Sequence, residues 1–276
     1  VNLKEIKGRI KAVRKTGNIT KAMESIALSK LKGATTVFEN ATHYDQQFKH
    51  VFKHFASHNE DASIFTELPR GNKKLYIMIT SDRGLAGPYH NHVFKRIEQD
   101  LNPKTDYILP IGKKGFQYVN KRGYQNILND IVLNRDNIKT FDYNRLATLI
   151  IELFEENAFD SVWLVYNKHE SISMHEASIE MILPVDVSDI PQNETHIIET
   201  EDASIMMKLM INYVQSMLLQ GLANAKLSEH ASRMIAMKNA SDNAKDIASK
   251  LEIVYHRARQ QSITSELIDV INGSNV

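Results

Sequence analysis

The sequence contains no cysteine, a single tryptophan and only six prolines in 276 residues. Without cysteine there is no disulfide framework, no CxxC redox motif, no thiolate zinc site and no thiol nucleophile. No apolar run approaches the ~20 residues that a membrane-spanning helix requires, in keeping with a mean hydropathy of −0.34. Neither charge sign dominates, with 34 Lys and Arg against 33 Asp and Glu. The opening VNLKEIKGRIKAVRK is basic and lacks the apolar stretch and small-residue cleavage site of a secretory signal. These absences point to a soluble protein facing a reducing compartment, with room for one large domain or two small ones.

The prolines that are present (Pro69, Pro88, Pro103, Pro110, Pro184 and Pro191) all fall in the middle of the chain, so residues 1–68 and 192–276 lack that helix breaker. In the first of these ends Leu3, Ile6, Ile10 and Val13 recur at helical spacing. The pattern resumes after Gly17 as Ala27, Leu31, Ala34, Phe38, Ala41, Phe48, Phe52 and Phe55, with Asp45 as its one interruption. The other end carries a seven-residue repeat from Leu209 through Tyr213, Ser216, Gln220, Ala223, Leu227, His230, Met234, Met237, Ser241, Ala244, Ala248, Leu251, Tyr255 and Ala258 to Ser262. Such a repeat predicts a left-handed coiled coil. Its seam is rich in alanine and serine, which permit close approach but bury little area, so other surfaces are expected to support it. At ~1.5 Å per residue, such a helix is roughly 100 Å long.

The centre alternates short β-branched and aromatic runs, LYIMIT (75–80), YILPI (107–111) and VWLVYN (162–167), with helical segments. This order predicts a mainly parallel, Rossmann-like doubly wound sheet, with MHEASIEMILP (174–184) as an antiparallel edge strand. The expected fold class is therefore α/β plus a long antiparallel coiled coil. Residues 1–60 and 203–276 would form the coil and residues 72–190 the central domain. Residues 185–202 carry acids only and read as an exposed linker, whereas residues 1–32 are strongly basic.

No arrangement of residues announces catalysis. TSDRGLAGPYHN (80–91) lies between a strand and a helix, where α/β proteins bind phosphate, but it matches neither GxGxxG nor GxxxxGK[ST]. A structural turn or a docking loop carrying Asp82 and Arg83 is the favoured reading. His50, His54 and His58 share a helical face without a carboxylate partner, which reads as solvated surface rather than a zinc site. The pairs His169–Glu170 and His175–Glu176 do not have HExxH spacing. The basic first helix suits acidic protein partners, with a coiled-coil adaptor or a basic nucleic-acid binder as the competing function and an α/β enzyme as a third.

Three blocks carry a family resemblance: ITKAMESIALSKL (19–31), SDRGLAG (81–87), and SEHASRMIAMKNASDNA (228–244) followed by YHRARQQSITSELIDVINGS (255–274). In order and spacing they resemble the gamma subunit of F-type ATP synthases across essentially the whole chain. Ala86 departs from the cysteine of many members, and Pro88, His90, Asn275 and Val276 are further departures. The resemblance implies a central-stalk rotor that couples proton flow to ATP synthesis or hydrolysis and has no catalytic residues, cofactor or metal of its own. Its implied partners are three alpha and three beta subunits, the epsilon subunit and the membrane c-ring, through which alone it would meet the membrane; nucleic acid is not among them. Residue by residue, Arg259, Gln260 and Thr264 match the catch toward the beta subunits, Met23 and Lys30 face their moving lever, and Glu199 belongs to the foot near epsilon and the c-ring. The implied location is peripheral, at the cytoplasmic face of a bacterial membrane, with the matrix face of the mitochondrial inner membrane as the less favoured alternative.

Overall fold

The computed structural model describes residues 2–57, 63–67, 71–128, 141–171, 175–188 and 203–273. In chain order the elements are α1 (Leu3–Ser57), α2 (Ser63–Thr66), β1 (Lys74–Ile79), α3 (Tyr89–Asp100), β2 (Tyr107–Ile111), α4 (Lys113–Arg122), α5 (Tyr143–Glu155), β3 (Ser161–His169), β4 (His175–Leu183) and α6 (Ala203–Gly273). The two proline-free ends are thus continuous helices of 55 and 71 residues. Between them lies a mixed four-stranded sheet of order β2-β1-β3-β4.

The chain divides into two compact units, Val1–Ser29 with Arg233–Val276, and Lys30–Ser232. In the first unit α1 and α6 run antiparallel. The contacts that fix this direction are Arg14 with Glu252 and Ser241 with the Gly17 carbonyl. Ile6, Ile10, Ala27, Met237, Ser241, Ala244 and Ala248 are buried along the seam. Most of these residues are small, and a Cβ placed on Gly17 would stand 3.2 Å from that of Ala244, so the helices approach closely here. A helix pair seamed by Gly, Ala and Ser gains little from area burial, as the sequence had suggested.

The second unit holds the thick core. β1 pairs in parallel with β2 and β3, and β4 closes the edge antiparallel to β3. The period-two alternation of a strand sends Leu75, Ile77 and Ile79 to one face and Tyr76 and Met78 to the other. The first face is covered by α5 and by segments of α1 and α6 that bring in Phe52, Ile150, Phe154, Val214, Leu218 and Leu222; the second is covered by Val93 and Ile97 of α3 and Val119 of α4. Coverage on both faces explains why these strands read as unbroken apolar runs. Gly221 allows α6 to lie on the sheet: a Cβ there would meet Leu164 Cδ2 at 2.3 Å.

Asp45, the interruption in the α1 pattern, is buried in this second unit. It accepts a hydrogen bond from Ser216 Oγ at 3.0 Å and pairs with Lys49 Nζ at 2.7 Å. Nearby, Phe52 stacks on Tyr213 with ring centroids 4.6 Å apart. The polar break is therefore a register device: sliding the helices would bury a carboxylate without its donor.

Candidate functional site

The seam of the first unit loses its cover toward the end of α6. Beyond Ala258 every described side chain except that of Ser262 is exposed. Ile263, Leu267, Ile268, Val270 and Ile271 are 45–68% exposed, a concentration of apolar surface unlike the scattered single residues of an ordinary surface. Gln260 and Thr264 lie one turn apart there, and Thr264 Oγ1 donates to the Gln260 carbonyl at 2.9 Å. Together with Arg257, Gln261, Ser265 and Ile268 they line a shallow groove of about 450 Å³. Arg259 is exposed but does not line it; the guanidinium at the groove belongs to Arg257, which motif matching passed over.

On α1, Met23 is half-buried beside Ile19 (51% exposed) and Ile26 (58% exposed). Steps of four and three residues place them on one helical side, next to the buried seam. The result is an apolar stripe that α6 leaves uncovered. Lys30 is exposed and lies in the second unit. Glu199 lies outside the described residues, as does most of the acidic linker, so the foot has no geometry to report.

The loop after β1 is not a phosphate cradle. Gly112 precedes α4 with φ +101 and offers no side-chain cap. The first free amides of that helix are taken by the chain itself: Lys113 N donates to Asp82 Oδ1 at 2.7 Å, Lys114 N to the Ser81 carbonyl at 3.0 Å and Gly115 N to Thr80 Oγ1 at 2.8 Å. Among the other motifs, His50 is exposed and His54 half-buried on α1, and His58 is outside the described residues. Strand register sets His169 opposite His175. Burial lowers the pKa of His169 below its ordinary value. On the α3–α4 face Phe94 stacks on Tyr118 at 3.9 Å, while the Tyr118 hydroxyl donates to Glu98. Burial, then Glu98, pushes this phenol well above the tyrosine range, so it remains a neutral donor in a packing cluster.

A sequence model of the family described as ATP synthase matches residues 2–276. The ATP synthase gamma chain of Staphylococcus haemolyticus (strain JCSC1435) is 33% identical over 99% of this chain and 98% of its own length. The chain belongs to the ATP synthase gamma-chain family. Members of this family are central-stalk rotor subunits, and the fold found here is that of solved central stalks. A chain of the Euglena gracilis mitochondrial ATP synthase, solved as OSCP/F1/c-ring in rotational state 3, superimposes with a TM-score of 0.70 at 17% identity, over 99% of this chain and 93% of that one. A chain of the Tetrahymena thermophila mitochondrial central stalk and c-ring gives 0.60 at 23% identity, over 81% and 99%. For a gamma-chain family member the long helices and the mixed sheet are the expected parts, and among the described residues no helix is long and apolar enough to cross a membrane.

Proposed function

We propose that this chain transmits rotation between a membrane c-ring and the catalytic beta subunits of a proton-driven ATP synthase, coupling ion flow to ATP synthesis or hydrolysis without a catalytic site of its own. Its surroundings in this reading are three alpha and three beta subunits around the first unit and an epsilon subunit beside the second, at the cytoplasmic face of a bacterial membrane. One observation carries the reading. The last turns of α6 expose five large apolar side chains beside a groove lined by Arg257, Gln260, Gln261, Thr264 and Ser265, surface that a free monomer does not keep in water. A surrounding ring covers them.

The mechanism follows from asymmetry. A helix pair that shows a different face to each of three otherwise equivalent beta subunits biases each between conformations, by no more than its difference in contact energy with those states. Gln260 and Thr264 in the groove, with Arg259 on the neighbouring side, are the catch; Met23 on its apolar stripe, and Lys30, meet the lever. A guanidinium offers a planar fork to a carboxylate, which gives such a catch direction. Glu199 is assigned to the foot. Recovery of the tagged protein with stoichiometric alpha and beta subunits is the expected result, and its recovery alone defeats the reading. Replacing Arg259 and Gln260 together by alanine lowers coupled turnover in the assembled complex; unchanged hydrolysis and proton pumping would remove them from the catch.

A further inference from the structure

Where α6 crosses the sheet it is held in two different ways. Leu218 and Leu222 share one buried cluster with Ile79 and Leu164, and Gly221 lets the helix come close to Leu164. Burial of this kind binds the helix to the sheet but is non-directional. One turn further on, at the carboxyl ends of β1 and β3, the contacts become polar and directional. His169 N donates to Asn224 Oδ1 at 2.7 Å, and the Tyr89 hydroxyl donates to the Ala225 carbonyl at 3.0 Å. Asn167 Nδ2 donates to the Tyr89 carbonyl at 2.6 Å, which ties both contacts to β3. Tyr89, Asn167 and Asn224 are 1%, 0% and 1% exposed, so water cannot substitute for these partners. A carbonyl oxygen has two lone pairs, and the bond from Tyr89 therefore adds to those that α6 makes within itself.

Adhesion alone would be served by apolar residues at this turn, as it is at Leu218 and Leu222. A buried polar network contributes something else: it fixes the azimuth and register of the helix on the sheet. The polar link also continues. Two turns before Asn224, Ser216 Oγ donates to Asp45 of α1 at 3.0 Å. The sheet thus grips α6, and α6 grips α1, each through a buried directional bond inside the second unit. A twist applied to the sheet reaches both helices without depending on apolar surfaces that can slide. We propose that Asn224 and Tyr89 are positioning residues for the rotor, forming with Asn167 the latch through which torque passes between the central sheet and α6. The inference rests on the rotor reading and names where inside the chain the torque is transferred.

The test uses the full chain, alone and in the assembled complex. In Asn224→Leu, hydrogen exchange at the His169 amide accelerates about threefold to tenfold, the range for losing one neutral hydrogen bond. Asn224→Asp keeps an acceptor oxygen and keeps the protection. Tyr89→Phe removes only a hydroxyl, and serves if the leucine variant fails to fold. In the complex, Asn224→Leu and Tyr89→Phe hydrolyse ATP at the parent's rate when an uncoupler collapses the proton gradient. Without the uncoupler they build a smaller gradient than the parent, because the latch is stressed most under load, and Asn224→Asp restores it. A residue that merely stabilises the domain would lower both readings together. Unchanged exchange in Asn224→Leu overturns the contact, and an undiminished gradient in both variants overturns the latch. Hydrolysis and gradient falling in proportion overturn it as well. A parent chain that does not assemble with alpha and beta subunits defeats the rotor reading and the inference with it, whereas a parent that pumps beside variants that pump equally defeats the inference alone.

Discussion

The two units are built on opposite terms. The unit formed by residues 1–29 and 233–276 holds 13 Lys and Arg against 7 Asp and Glu, a net +6; the rest of the chain holds 21 against 26, a net −5. The overall balance of +1 conceals this division. The first unit buries mainly Ala, Ser and a few Ile and Met side chains, whereas the second buries most of the aromatic and large aliphatic ones. Stability therefore resides in the second unit, and the first is a surface carrier. A basic, thinly packed helix pair is suited to contacts with acidic partners that it must also leave, because little of its own fold depends on them.

The sharpest way to break this contrast is to empty the thick core. Phe52→Ala removes a side chain with no exposure, stacked on Tyr213, and is expected to destabilise the chain by about 3–5 kcal/mol in urea unfolding. Ile10→Ala, in the thin seam, falls at or below the low end of the aliphatic range, about 2 kcal/mol. Equal losses would show that the seam matters as much as the core. Ser216→Ala takes the hydroxyl from buried Asp45 and costs about 1–3 kcal/mol, measured by the same unfolding curve.

The same substitution made in both units sharpens the comparison further. Gly221→Ala drives a methyl into fully buried Leu164, and the overpacking outweighs the helix-propensity gain to leave a net loss of about 1–2 kcal/mol. Gly17→Ala meets Ala244 at 3.2 Å in an opener seam, so the propensity gain of about 1 kcal/mol offsets the contact and thermal melting stays nearly unchanged. A smaller effect concerns pH. Burial lowers the pKa of His169 in the folded state, so the unfolded chain binds the proton first. Its contribution is fully present above the ordinary value of 6.5 and is lost as pH falls through the depressed folded value. His169→Gln should flatten that acid limb, read as urea midpoints on either side of it. Smallest of all, Arg14→Ala removes a pair whose side chains are 64% and 37% exposed, and shifts stability by less than about 1 kcal/mol.

Much of this organisation was legible beforehand. YILPI coincides with β2, VWLVYN falls within β3, LYIMIT matches β1 except for its last residue, Thr80, and the edge strand lies where it was expected. From Met237 to Ala248 the heptad positions are the buried ones, whereas from Tyr213 to Ala236 every side chain is buried or half-buried. Periodicity reports these because burying one face of an element is a local property of its sequence. Asp45 was visible only as a defect, since its donors sit four residues away and on another helix. The catch was legible as a motif but not as a surface: Arg257 lines the groove, whereas Arg259 does not.

The sequence by itself determined the continuous helices, the strands and their burial, and the family, because helix propensity, apolar spacing and the three motif blocks all act or match along the chain. Only the tertiary structure decided that Asp45 holds a register, that Asp82 occupies the first amide of α4, and that the end of α6 exposes a run of large apolar side chains. Each depends on which groups from distant segments meet, or fail to meet. A donor, an anion site and an uncovered face are properties of pairs of segments, and no single stretch of sequence contains both members.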